Sequence, residues 1–234
     1  MLHGYCIRQA GEPPPASDLR GVDGAAVRLI EFGLLGIWLS EGAAKSPSIP
    51  RLRQHETVVR AALRTATPLP LQFGSSFQDE VAAERVLSER SDEFRDKMAR
   101  VGQRVEMSIQ VKRAELDGAP GSLAAAGHGA PASRPPQPTT GRAYLESRRE
   151  ALEREEAARG EAETILDDVE AAFAEMELPA VRVVGGAPGL VGSLAHLVHR
   201  QQVRQYREYA NSLDSTRPEL RFAVTGPWAP YSFV

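Results

Sequence analysis

The stretch that most constrains the fold is RVEMSIQVKR, Arg104–Arg113. Val105, Met107, Ile109 and Val111 alternate with polar residues, a period of two that places four apolar side chains on one face of a strand. A strand of this kind holds only when neighbours pair with its backbone and an apolar layer covers its face. The residues that follow must supply both.

They supply them in a definite order. Arg142–Met176 reads as a long helix whose first half is nearly all charge, with Glu150–Arg154 and Glu155–Arg159 at helix-pairing distance. Its last turns carry Ile165, Leu166, Val169, Ala172, Phe173 and Met176, so the start is solvated and the end packed. Pro179 marks the exit. Ala180–Gly186 and Gly192–Val198 read as strands joined by a glycine loop. Arg200–Asp214 reads as a helix with Val203, Tyr206, Ala210 and Leu213 inward, and Glu219–Gly226 as a last strand. Strand, helix, strand, strand, helix, strand is the order of the ferredoxin-like split βαβ unit. Residues 116–141, dominated by Gly, Ala, Pro and Ser, cannot bury enough apolar surface to order themselves and are expected to form a disordered loop.

The first half has its own elements. Met1–Arg8 reads as a strand, and Gly11–Gly21, with three consecutive prolines, as a loop. Val27–Ile30 and Leu34–Ser40 form a hairpin turning at Gly33. From Ser48, an N-cap candidate, a helix places Leu52, His55, Val59, Ala62 and Leu63 on one face. Pro68–Phe73 reads as a short strand. A second helix, capped by Ser76 with Asp79 three residues on, carries Ala83, Leu87, Phe94, Met98 and Val101 inward and stops at Gly102. The fold class expected is α+β in two lobes: an N-terminal mixed α+β domain, residues 1–102, and a C-terminal modified ferredoxin-like βαββαβ domain, residues 103–234.

Composition narrows the function. Twenty-eight Lys and Arg against 31 Asp and Glu give a net charge of -3, without the basic footprint of a nucleic-acid binder. One cysteine, Cys6, excludes an internal disulfide framework and a multi-cysteine metal site. The longest apolar run, Leu34–Leu39, is too short to span a bilayer. The first residues lack the pattern of a signal peptide, so a cytoplasmic location is expected.

Candidate chemistry is sparse. His196 and His199 are three apart, but on a strand that spacing points them to opposite faces. GGAPGLVG (Gly185–Gly192) sits between two strands, with no helix N-terminus behind it to cradle a phosphate. Cys6 lies within a strand and His55 on an inward helix face. Asp167, Asp168 and Glu170 continue an acidic, solvated helix surface. No nucleophile, base and acid are arranged together, and no catalytic residue, metal ligand or cofactor is assigned.

Three stretches carry a family resemblance. HETVVRAALRTATPLPLQFGSSFQDE (His55–Glu80) has a helical histidine, an lPl-x-FG segment and a turn into an acidic helix start, at His55, Pro70, Leu71, Phe73, Gly74, Phe77 and Asp79. GQRVEMSIQV (Gly102–Val111) is similar to the family's strand of glycine followed by a glutamate, with Glu106 in place. TGPWAPYSFV (Thr225–Val234) resembles a tGPWpPYsF ending, with Ala229 where proline is common. Together they resemble the gas vesicle protein F/L family (GvpF/GvpL). The likeness is loose at residues 116–141 and in Gly192–Val198, where the family has a more apolar strand. It implies a non-enzymatic accessory protein of gas vesicle assembly, associated with the vesicle, with a modified ferredoxin-like C-terminal lobe. It further implies the small, apolar major shell protein and other gas vesicle accessory proteins as partners, and neither nucleic acid nor membrane. Two other readings stay open: a small-molecule-binding regulatory protein of ferredoxin-like type, and an enzyme whose residues meet only in space.

Two sets of residues are expected to act. Leu35, Trp38, Leu69, Leu71, Phe73 and Phe77 lie in short, edge-like apolar segments of the N-terminal lobe and are candidates for contact with the shell protein. Trp228, Tyr231 and Phe233, stiffened by Pro227 and Pro230, are expected to pack back between the lobes as an interdomain clasp, because in water they would form an apolar patch.

Overall fold

The computed structural model describes residues 1–42, 46–114, 141–185 and 189–234. The loop expected at 116–141 lies outside them except for Gly141, which opens a helix, and so does part of the glycine loop after Gly185.

The second half meets the demand set by Arg104–Arg113. That strand, β6, lies inside an antiparallel sheet with β7 (Ala180–Val184), β8 (Leu190–His199) and β9 (Leu220–Trp228), in the order β7-β8-β6-β9. This is the order a split βαβ unit gives when its first strand sits between its third and fourth. Helices α4 (Gly141–Ala172) and α5 (Val203–Thr216) cover one face. Met107, Ile109 and Val111 pack there against Leu166, Phe173 and Tyr206. The first half of α4 is exposed, as its charge pattern predicts. A short 3-10 turn, Arg200–Gln202, precedes α5, and another, Ala174–Met176, follows α4.

The first half builds a second antiparallel sheet. β1 (Leu2–Gln9) pairs with β3 (Leu35–Glu41), β3 pairs with β2 (Val27–Phe32), and two short strands, β4 (Leu69–Pro70) and β5 (Ser76–Phe77), pair with β1. Phe32 faces Leu35 across a two-residue turn in which Gly33 takes φ +56°. Helix α1 (Ile49–Leu63) packs on β1 and β3 through Val58, Val59 and Ala62. Leu52, expected inward, is exposed, and Val58 takes its place. Leu52 lies one turn outside the packed stretch.

The expected second helix is two helices. α2 (Glu80–Glu89) and α3 (Ser91–Val101) meet at Arg90, which pairs with Glu93 and stacks on Phe94 at 4.8 Å. The cap is Asp79, which accepts from the Ala82 N–H at 2.8 Å, and not Ser76. Ser76 is held extended by its pairing with His3 in β1, so Asp79 is the first residue free to cap. The predicted stripe of Ala83, Leu87, Phe94, Met98 and Val101 is buried across the break. The left-handed residue after α3 is Gln103, φ +56°, and not Gly102.

Three buried histidines tie local structure to pH. The His55 Nε2 lies 2.9 Å from the Leu71 carbonyl, which can only accept, so that nitrogen carries the hydrogen. Nδ1 of His55 then accepts from Nε2 of His3 at 2.9 Å. Burial, reinforced by His55, pushes His3 down to about 4. Burial also lowers His55, against the pull of its bond to Leu71. His196, whose Nδ1 is 2.8 Å from the Tyr206 hydroxyl, is pushed down to about 4 by burial. The folded chain keeps these rings neutral, while the unfolded chain takes up protons near the ordinary value of 6.5.

Below that value the unfolded state therefore binds more protons, and stability falls as pH drops. The unfolding midpoint is expected to decline between pH 6.5 and about 4, and a His3→Gln variant to show a shallower decline, both read by thermal melts across pH. A second prediction concerns Gly226, which has φ +112° and whose added Cβ would sit 2.8 Å from the Glu106 carbonyl oxygen and 2.9 Å from the Met107 sulfur. Gly226→Ala is expected to cost about 1–3 kcal/mol, seen as a fall in melting temperature.

Candidate functional site at the C-terminal junction

The three stretches that carry the family resemblance meet in space. β9 reaches Trp228 opposite Glu106, and β8 places Leu197 on the other side of Glu106. By strand alternation this row of three faces away from α4 and α5. Leu197 packs into the core of the first sheet, beside Leu35 and Leu87. Glu106, nine-tenths buried, then receives the end of the chain.

That end turns back immediately after β9. Ala229 and Pro230 are buried, and Tyr231–Phe233 form a single 3-10 turn. The Ser232 N–H donates to Glu106 Oε2 at 2.8 Å and its hydroxyl to Oε1 at 3.0 Å. Both carboxylate oxygens are thus satisfied by one residue of the tail, which a buried carboxylate requires. Ala229 and Tyr231 pack into the cluster of Tyr5, Cys6, Trp38 and Val59, and Phe233 packs into that of Leu2, Ile37 and Leu87. Tyr231 Oη lies 3.4 Å from Glu56 Oε2. Burial, with the Glu56 charge behind it, pushes the Tyr231 phenol up. Burial raises the Glu56 carboxyl, while Arg60 pulls it down. Trp228 stays partly exposed, with the Arg60 guanidinium 4.7 Å from its ring centre. All three residues expected to clasp therefore touch the first half of the chain.

Beside the tail lies a cleft of about 460 Å³, with apolar walls that include Leu71, Phe77, Val86, Phe94, Tyr231 and Val234, and with Arg90 and Lys97 also lining it. Leu69, 3% exposed, forms part of its floor. Leu35 and Trp38 offer no surface to a partner: β3 lies between β2 and β1, and they are 1% and 3% exposed. Trp38 is also covered by the Arg8 guanidinium at 4.9 Å. Phe73 lies among the His3 and His55 rings, 5.4 and 5.8 Å away, and outside the cleft. Of the six candidates, Leu71 and Phe77 thus combine partial exposure with a place in the cleft.

Glu56, Glu106 as an anchor, Ser232 and Arg8 take roles that their sequence context does not announce. The buried Arg8 side chain donates to Glu12, to the Pro13 carbonyl and to Thr65, so the proline loop folds over a cation. Its nearness to Glu12 in sequence is the one signal that could have suggested the pair.

The candidate reactive groups are separated. His196 is buried, while His199, partly exposed, accepts from the Gln201 N–H at 3.4 Å. The Cys6 thiol is buried and pushed up to about 12 by burial, which disfavours thiolate chemistry. Asp167 pairs with Arg182, and Asp168 with Arg217 at 2.9 Å. Among the described residues no three His, Cys, Asp or Glu side chains are placed to share a metal ion, and no helix is long and apolar enough to cross a membrane.

Comparison with known proteins gives the chain a family and its fold relatives. The family described as "Gas vesicle synthesis protein GvpL/GvpF" matches residues 2–234. "Gas vesicle protein L" of Streptomyces sp. (strain CB03234) is 27% identical over 203 residues, covering 84% of this chain and 70% of that protein. The crystal structure of the gas vesicle protein GvpF from Anabaena sp. PCC7120 superposes with a TM-score of 0.75 at 18% identity, over 99% of this chain and 94% of the other. GvpF from Microcystis aeruginosa superposes with a TM-score of 0.66 at 17% identity, over 99% and 98%. At such identities the two superpositions speak for the fold alone, but the sequence match spans nearly the whole chain: it belongs to the gas vesicle synthesis protein GvpL/GvpF family.

Proposed function

We propose that this chain is an accessory protein of gas vesicle assembly, acting by binding and not by catalysis. Its target in this reading is the small, apolar major shell protein during nucleation or growth, and it works in association with the vesicle and with other accessory proteins. The observation that carries the reading is the cleft beside the tail. Leu71, Phe77 and Val86, each half-buried, leave apolar surface open there, beside the buried Leu69 and Leu87. β5 holds Phe77, and Leu71 follows β4 directly, so both sit at a sheet margin where an apolar helix or strand could lie. A chain family named for gas vesicle synthesis supplies the context. The tail, in the same reading, is a clasp: it fixes one wall of the cleft through Tyr231 and Val234 while Ser232 is tied to the second sheet.

Two experiments test this. Shell protein is expected to co-purify with the full chain and with Val183→Asp, on the exposed face of β7, but to be lost from Leu71→Asp and Phe77→Asp; loss at Val183 with retention at Leu71 and Phe77 would contradict the assignment. Deleting Gly226–Val234 is expected to lower the melting temperature by about 5 °C or more, as a few kcal/mol does in a chain of this size. Unchanged melting with lost shell-protein binding would make the tail a partner hook instead of a clasp.

A further inference from the structure

A second cleft, lined by Trp228, has a chemistry that the proposed assembly role does not use. It measures about 340 Å³ and is walled by Leu63, Val105, Pro227 and Trp228. Three arginines enter it, Arg60 and Arg64 from the end of α1 and Arg200 from the turn before α5, and no carboxylate lines it. The three cations are poorly compensated. The Arg200 guanidinium, partly buried, donates to neutral acceptors, Thr67 Oγ1 at 3.1 Å and the Leu63 carbonyl at 2.6 Å. Burial disfavours its charge. The exposed Arg64 guanidinium has no hydrogen bond or ion pair among the described residues, its backbone N–H alone donating, to the Ala61 carbonyl. Arg60 meets Glu56 only at 3.8 Å and spends its face on the Trp228 ring.

Like charges gathered around one concave space repel, and a partly buried guanidinium without an acid carries some desolvation cost. Neither is explained by packing alone: the bonds of Arg200 to Leu63 and Thr67 account for one arginine and leave Arg64 without a role. Guanidinium forks match oxyanions in shape and charge, and an indole face beside them accepts a flat organic body. We propose that Arg60, Arg64 and Arg200, with Trp228, form a binding site for a small, multiply charged oxyanion, a phosphate or a polycarboxylate. The volume is at the small end of ligand sites, enough for the anion and a short apolar or planar remainder. Because Trp228 is part of the wall, occupancy would be felt by the tail.

The test uses the full chain, titrated separately with inorganic phosphate and with citrate at constant ionic strength, chloride making up the balance. Trp38 is buried, so a change in tryptophan emission reports on Trp228. A saturable emission change is expected, together with a melting temperature raised by a few degrees as binding to the folded state is added. Arg64→Ala, an exposed change that leaves the core intact, is expected to weaken the apparent affinity about tenfold, the loss of one charge-assisted contact. Arg95→Ala, on α3 and paired with Asp92, is expected to change nothing. Response to phosphate alone assigns a phosphate ligand, and response to citrate alone a polycarboxylate. No saturable response to either, or an equal response in Arg64→Ala, would overturn the proposal.

Discussion

Glu106 is the point on which the two halves of the molecule depend. It sits in a central strand, in the row that turns away from α4 and α5, where a carboxylate would ordinarily face water. Here Leu197, beside it, is packed into the core of the first sheet, and the tail closes over the remaining side. Burying the carboxylate is tolerable because the Ser232 N–H and hydroxyl satisfy both oxygens. The consequence runs outward. With Ser232 fixed, Tyr231 and Phe233 on either side of it reach two different apolar clusters of the first sheet. With Tyr231 fixed, the cleft beside β4 and β5 has its wall. Gly226 is required at the other end of the same device, because β9 must bulge past Met107 to bring the tail onto Glu106.

Much of this architecture was legible in the residues. Period-two alternation in Arg104–Arg113, and the order of elements after it, gave the second sheet and its covering helices. The failures have physical causes. One helix was expected across residues 76–102 because the apolar stripe keeps its period through Arg90; the break is made by backbone geometry and by Arg90 turning onto Phe94. Ser76 looked like a cap because capping is a local signal, whereas its pairing with His3 is a long-range one. Leu35 and Trp38 looked like edge residues because a short apolar strand reads the same whether its two sides are paired or open. Glu106 is a mark of the family resemblance but carries no signal for burial: an acidic residue at the polar phase of an alternating strand predicts solvent, and only the tail makes it otherwise.

The surface left by this packing has two clefts, each lined in part by the tail. The cleft at Leu71 and Phe77 joins apolar walls to Arg90 and Lys97 and suits an amphipathic segment with a hydrophobic face, in keeping with the assembly role proposed. The cleft at Arg60, Arg64 and Arg200 is cationic and suits a small anion. Trp228, Tyr231 and Val234 stand in the walls of one or the other, so the tail is the element through which the two could sense each other. Aromatic residues near a chain end are costly to expose, and here each of the three finds a surface from the first half of the molecule to cover it.

Native-state amide hydrogen exchange tests the central claim most directly. If the tail is held through Glu106 as part of the folded body, the Ser232 amide should exchange as slowly as the paired amides of β6, and Glu106→Gln, which leaves one acceptor oxygen, should speed it markedly while the rest of β6 stays protected. A Ser232 amide that exchanges at the rate of an unstructured peptide in the unaltered chain, beside a protected β6, would contradict the account.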